Sequence, residues 1–430
     1  MKTEAEVFFQ ETQPFVNKLA ETVNPQFCLN MGWNYEYLEG LLNKRDYNMG
    51  IADPNTKGPA IVIGSGPSLD EGMPYLNKAR ETHDAPIFCT ASQVWSLYYQ
   101  GVTPSYVIQH DPWSRPCPVC NDVPAAPIDF KDNGECYCTR GHKIEGEMRE
   151  DLLRQMNIHP WAPDIDCKVI AHPGTQPTHL HWKPFQERGE MYFNNFNPNI
   201  GPYTVRDLVR GQAFGFAGEK YRNLENKTEE AWAEMVTAFI QAPGKHEPQD
   251  TPMWMSVILF GEGNPRLKMP VRIAAPYCPS TTFQGAVLAY MKGYNPIYFV
   301  GYDLCHWKNK SYHHKFMYDG TDRVCPVGIP PGQEEKKSLA GFQTDYVQVG
   351  EKYSLAGYVS KQFQGMYALP GIQIVECIAD GIPGNLEFYP RIDIERFAEG
   401  ETRNVSQEKT AKKIQAIVRE RKMGAVAGAI

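Results

Sequence analysis

The sequence lacks any apolar stretch of the roughly 18 residues that a membrane-crossing helix needs, and its first segment, MKTEAEVFFQETQPFVNKLAETV, has no basic region ahead of an apolar run. The expectation is a chain without a signal peptide or membrane span, working in the cytoplasm. Cysteine is sparse, with 11 in 430 residues, too few for a disulfide scaffold of this length. Positive charge is not in excess: 43 Lys and Arg face 50 Asp and Glu for a net charge of -7. Nothing in that balance draws the chain to nucleic acid or an anionic surface. Internal repeats and low-complexity tracts are also missing. What remains is the composition of a globular enzyme, long enough for one elaborated α/β core with insertions.

Ala60-Ile61-Val62-Ile63 is a short run with β-branched residues, followed at once by glycines and by Ser68 and Asp70 as helix caps, which reads as strand, turn, helix. Further strands are expected at 86–90, 106–109, 168–171, 191–193, 271–274, 297–300 and 372–375, with helix-length segments between several of them, notably 91–100 and 281–292. This alternation predicts an α/β fold with a Rossmann-like open, mostly parallel sheet and helices on both faces. The chain divides on this reading into a helical N-terminal segment (1–57), a catalytic domain (58–400) and a charged C-terminal helix and tail (401–430). Two excursions interrupt the catalytic domain: a Pro-, Cys- and Gly-rich insertion at 114–150 and a polar, lid-like loop at 308–337. In the tail, Ile414, Ile417 and Val418 form a thin stripe, suited to packing on the domain or on a second subunit of a homo-oligomer.

The turn Gly64-Ser65-Gly66-Pro67-Ser68 has the composition of a phosphate cradle. Glycines let backbone N–H groups approach an anion, the helix start is electropositive, Ser65 and Ser68 add hydroxyls, and Pro67 sets the direction into the helix. A tight strand-to-helix turn without ligand uses the same residues for packing. The third strand ends in Gln109-His110-Asp111-Pro112, and polar groups at the carboxyl end of a parallel strand lie beside the crevice where open α/β sheets bind ligands. His110 and Asp111 are therefore candidate site residues, with capping of the next turn the alternative for Asp111.

Four cysteines crowd into the insertion as Cys117-Pro118-Val119-Cys120 and Cys136-Tyr137-Cys138, with His142 four residues on. Thiolates at such spacing can grip one tetrahedral ion, so Cys117, Cys120, Cys136 and Cys138 are expected to form a closed, structural zinc knuckle, with His142 able to replace Cys136 or Cys138. Thiols without metal are the alternative. Zinc knuckles also bind single-stranded nucleic acid, but Lys131, Arg140 and Lys143 stand among several acids, which argues against that partner.

Three ordered blocks carry a resemblance. Residues Ile61-Val62-Ile63-Gly64-Ser65-Gly66-Pro67-Ser68-Leu69-Asp70, the segment Gly101 to Pro112 ending Gln109-His110-Asp111-Pro112, and the small-residue helix 282–293 running into Ile297-Tyr298-Phe299-Val300-Gly301-Tyr302-Asp303-Leu304 resemble the MptE-like superfamily. That superfamily includes archaeal 6-hydroxymethylpterin diphosphokinases and Maf flagellin glycosyltransferases, and bacterial sialyltransferases with CMP donors carry a similar pair of blocks. The resemblance spans about 60 to 320. Its diphosphokinase members place a double acid, Asp-x-Asp-Gly, where this chain reads His110-Asp111-Pro112-Trp113, so the glycosyltransferase form is the nearer likeness. The resemblance thus implies a nucleotide-sugar donor, its phosphate at Gly64 to Ser68, with Asp303 orienting ribose or sugar hydroxyls and His313 or His314 as the base for the acceptor hydroxyl. Both histidines also read as ordinary loop residues. A single Mg²⁺ remains compatible with the one acid, and the alternatives are an ATP- and Mg²⁺-dependent pterin-type pyrophosphokinase or a noncatalytic nucleotide-binding or assembly protein. The acceptor is not specified.

Overall fold

The computed structural model describes residues 26–50, 57–66, 68–112, 117, 119, 128–130, 135–138, 140–149, 165–195, 228–241, 252–276, 278, 280–302, 371–378 and 389–403. In chain order the strands are β1 (Ala60–Ile63), β2 (Ile87–Thr90), β3 (Tyr106–Gln109), β4 (Ile128–Phe130), β5 (Cys136–Cys138), β6 (Lys143–Ile144), β7 (Lys168–Ala171), β8 (Glu190–Met191), β9 (Phe193–Asn195), β10 (Ala274–Pro276), β11 (Ile297–Val300), β12 (Ile374–Ile378) and β13 (Arg391–Asp393). The described residues fall into two compact units, one drawn from Ile51–Ser105 and Cys278–Ile430, the other from Leu19–Gly50 and Tyr106–Tyr277.

The first unit is an α/β layer structure. Its strands pair in parallel in the order β13-β12-β11-β1-β2. Every residue of β1, β2 and β11 is buried, the pattern of central strands covered on both faces, and it explains why these segments read as continuous apolar runs. Each fully buried Ile, Val or Phe contributes roughly 1.5–3 kcal/mol. The helix Thr281–Met291 packs on β1, β2 and β11 and is buried along nearly its whole length, so it is apolar all round rather than striped. The helices Leu76–His83 and Ile394–Ala398 pack on one another, with the His83 and Phe397 rings stacked 4.1 Å apart.

In the second unit β3, β7 and β8 pair in parallel in that order. β9 pairs with β10, and β4-β5-β6 form an antiparallel hairpin sheet within the insertion. The strand expected at 191–193 is split, because the Met191 amide donates to Tyr47 O and the Tyr192 amide to Ala171 O, whereas the Phe193 amide turns to Ile273 O. The strand expected at 271–274 moves to Ala274–Pro276, since the Val271 amide is taken by Phe260 O. A helix at 26–42 supplies Asn30, whose Nδ2 donates to Pro112 O (2.6 Å) and Gly174 O (2.9 Å). Asn34 Nδ2 donates to Pro173 O (3.0 Å) and Thr175 O (2.9 Å). Two asparagines one turn apart therefore tie down the loops that leave β3 and β7.

Candidate functional site

From β1 the chain crosses to β2 on one side, whereas β11, β12 and β13 extend on the other. In open α/β sheets, connections that diverge in this way mark the carboxyl ends of the two central strands, here β1 and β11, as the usual place of ligand binding. The turns that follow these strands touch: Gly64 N donates to Val300 O (2.8 Å) and Gly66 N to Gly301 O (2.7 Å). A Cβ on Gly64 would overlap the Gly301 carbonyl oxygen, and Gly301 itself has φ +68 with Leu69 and Gly64 O within 2.9 Å of where its Cβ would sit. Glycine at both positions is thus required by backbone approach. In the expected cradle, the Gly64 and Gly66 amides thus serve protein carbonyls. Ser65 is half-buried at the turn, and Ser68 is buried at the entry to the short helix Leu69–Gly72.

The helix Thr281–Met291 precedes β11 and packs along it, so its N-terminus lies at the same carboxyl edge. Ser280 caps it, Oγ accepting from Phe283 N (3.4 Å), and the amides of Thr281 and Thr282 have no acceptor within the helix. Gln284, fully buried, accepts from Cys278 N through Oε1 (3.1 Å), while its Nε2 has no hydrogen-bond partner among the described residues. A buried donor left unmade costs about 1–3 kcal/mol. A helix start whose first amides have no partner within the helix, with a buried donor beside it, is suited to an anionic ligand. Sequence reading took this segment only as a small-residue helix. The Ser280-Thr281-Thr282 run ahead of it was the available signal.

The ends of β3 and β7 are polar but sealed. His110 and His172 follow the two strands directly, and the His172 amide donates to Gln109 O (2.9 Å). His110 Nδ1 shares a hydrogen bond of 2.7 Å with the Tyr192 hydroxyl, and His172 Nδ1 accepts from Gly174 N (3.0 Å). His179 is bonded to the Gln176 amide and lies 3.4 Å from Thr175 Oγ1. Phe27 closes over the first two, its ring centroid 5.4 Å from His110 and 4.9 Å from His172. Burial pushes His110 and His179 down to about 3 and, with the neighbouring His110, holds His172 well below the usual imidazole range. His110, expected at the site, therefore has the surroundings of an uncharged core group. Asp111 has an exposed side chain, and its carbonyl accepts from Thr175 Oγ1 (3.1 Å) and Gln176 N (3.3 Å).

In the insertion, Cys117, Cys138 and His142 each bring one ligand atom within 4.8 Å of the others and could hold a metal ion. Cys136 is not in this group. Cys120, Pro67, Asp303, His313 and His314 lie outside the described residues, as do the lid-like loop and the C-terminal helix. Among the described residues, no helix is long and apolar enough to cross a membrane.

No family model and no curated protein matches the chain. Among solved structures it is similar to a MAf glycosyltransferase from Magnetospirillum magneticum AMB-1, with 13% identity and a TM-score of 0.35, over 94% of this chain and 42% of that one. The chain thus spans less than half the length of that protein.

Proposed function

We propose that the chain transfers a glycosyl group from a nucleotide-activated sugar, with the donor's phosphates at the carboxyl edge of β1 and β11. The observation that supports this most is the pairing of β1 with β11, Ala60 to Ile63 in register with Ile297 to Val300. It brings the first and third blocks of the family resemblance side by side where the connections diverge. The helix start at Thr281 and the Gln284 Nε2 donor stand at the same edge. On this reading the phosphate is met by the Thr281 and Thr282 amides and by Ser65, while Gly64 and Gly66 shape the turn and Ser68 starts its helix. Asp303, two residues beyond Gly301, orients donor hydroxyls, and His313 or His314 takes the proton of the acceptor hydroxyl as it attacks the anomeric carbon. Fixed N–H donors at the leaving phosphate stabilise the charge that develops there.

The test is a thermal-shift panel of CMP, UDP, GDP and ADP sugars, with and without Mg²⁺, followed by a hydrolysis and transfer assay on the nucleotide that binds. One nucleotide should stand out, since a ligand at a hundred times its Kd stabilises by about 2.7 kcal/mol. Sugar release should then fall roughly a hundredfold in His313→Ala or His314→Ala with donor affinity retained. Conversion of ATP to AMP that stops on removal of Mg²⁺ would place the chain with the pyrophosphokinases instead.

A further inference from the structure

The insertion presents a second centre that the proposed transfer chemistry does not use. Its hairpin sheet is built from strands of two or three residues, and a sheet this small is marginal in water on its own. Cys117 and Cys138 are nevertheless buried to 2% exposure or less.

The register decides which side chains converge. β5 and β6 pair with Cys136 opposite Ile144 and Tyr137 opposite Lys143, so the next rung places Cys138 opposite His142. There the Cys138 amide donates to His142 O (3.0 Å), and the Gly141 amide to Cys138 O (2.8 Å), with Gly141 at φ +84 closing the turn. Residues opposite one another on a hairpin have Cβ atoms about 5 Å apart, and here Cys138 Sγ and His142 Nδ1 come to 3.5 Å. A tetrahedral zinc with Zn–S of about 2.3 Å and Zn–N of about 2.0–2.1 Å separates its sulfur and nitrogen ligands by roughly 3.6 Å. Cys136 lies on the same face but two residues along the strand, about 6.8 Å at the usual rise.

We infer that Cys117 Sγ, Cys138 Sγ and His142 Nδ1 hold a zinc ion, with His142 and not Cys136 as the ligand from the hairpin. Two thiolates and a neutral imidazole fill three of the four tetrahedral positions and balance the charge of Zn²⁺, so with a neutral water in the fourth the centre can be buried without leaving an unbalanced ion. Its effect is to staple the chain just beyond β3 to the short hairpin.

The test is metal analysis of the full chain purified without added zinc, combined with X-ray absorption at the zinc edge. About one zinc per chain with a mixed sulfur and nitrogen shell is expected. Cys136→Ser should keep the metal, whereas His142→Ala and Cys138→Ser should lose it. Reduced protein without zinc would overturn the inference, leaving a thiol–imidazole hydrogen bond. So would an all-sulfur shell in the unsubstituted protein, or zinc retained by His142→Ala and lost by Cys136→Ser. The absorption spectrum needs no variant, so it decides the ligand set even where a substitution fails to fold.

Discussion

The strand ends at β1 and β11 are built from glycine and hydroxyl residues, whereas those at β3 and β7 are built from imidazoles. At β1 and β11 the backbones approach so closely that no Cβ fits at Gly64 or Gly301, and Ser65 stays half-buried beside them. At β3 and β7, Phe27 and Tyr192 enclose His110 and His172, and Asn30 and Asn34 fasten the loops above. Both edges obey the rule that polar residues gather at the carboxyl ends of parallel strands. The difference teaches that such residues mark a ligand mouth only where they stay open to a ligand. Where aromatic rings enclose them, as at His110 and His172, they become hydrogen-bonding parts of the core.

The largest expected effect comes from the sealed edge. With His110 and His179 held at about 3 and His172 well down, the unfolded chain binds more protons than the folded one throughout the window from an unfolded value near 6.5 down toward 3. The stability that the three neutral histidines contribute is whole above about pH 6.5 and is lost as pH falls through that window, at up to about 4 kcal/mol per pH unit for three groups. Urea denaturation between pH 7 and 4 should show that slope, and His179→Gln should reduce it by about a third. A flat profile would mean that the histidines are solvated and the edge is open.

Next in size is Gly64→Val, expected to cost about 3 kcal/mol or more in chemical denaturation, because its side chain meets backbone that neither strand can move. A normally stable variant would show that the two turns are not in contact. Tyr192→Phe should cost about 1–2 kcal/mol by leaving His110 Nδ1 without its partner. An unchanged stability would remove Tyr192 from the seal. Ser65→Ala should change stability by less than about 0.5 kcal/mol while weakening nucleotide binding. A structural rather than ligand-facing Ser65 would give the reverse.

The parallel strands were legible because β1, β2 and β11 are buried on both faces, which leaves an apolar run in the sequence. The glycine turn was legible as a special position, but its cause was not, since Gly301 stands far along the chain from Gly64. His110 read as a site residue because its sealing partners, Phe27 and Tyr192, are equally remote in sequence. The hairpin β4-β5-β6 has strands too short to show a period of two. For that reason the spacing left Cys136, Cys138 and His142 all open as ligands, whereas in the structure Cys117, Cys138 and His142 bring their ligand atoms together. Gln284 was hidden inside an apolar helix, and its buried Nε2 finds no partner among the described residues.

The most direct test of the proposed phosphate site at β1 and β11 is calorimetric titration of the preferred nucleotide sugar into the wild-type chain and into Thr281→Pro. Thr281 is the first residue of its helix, after Ser280 at φ -101 and ψ 124. Proline is well tolerated there and removes only an amide that the helix itself does not use. The variant should keep the wild-type melting temperature and bind the donor at least about tenfold more weakly, the loss of one hydrogen bond to a charged phosphate. Equal affinity in the folded variant, or no nucleotide binding by the wild-type chain, would contradict a phosphate site at this edge.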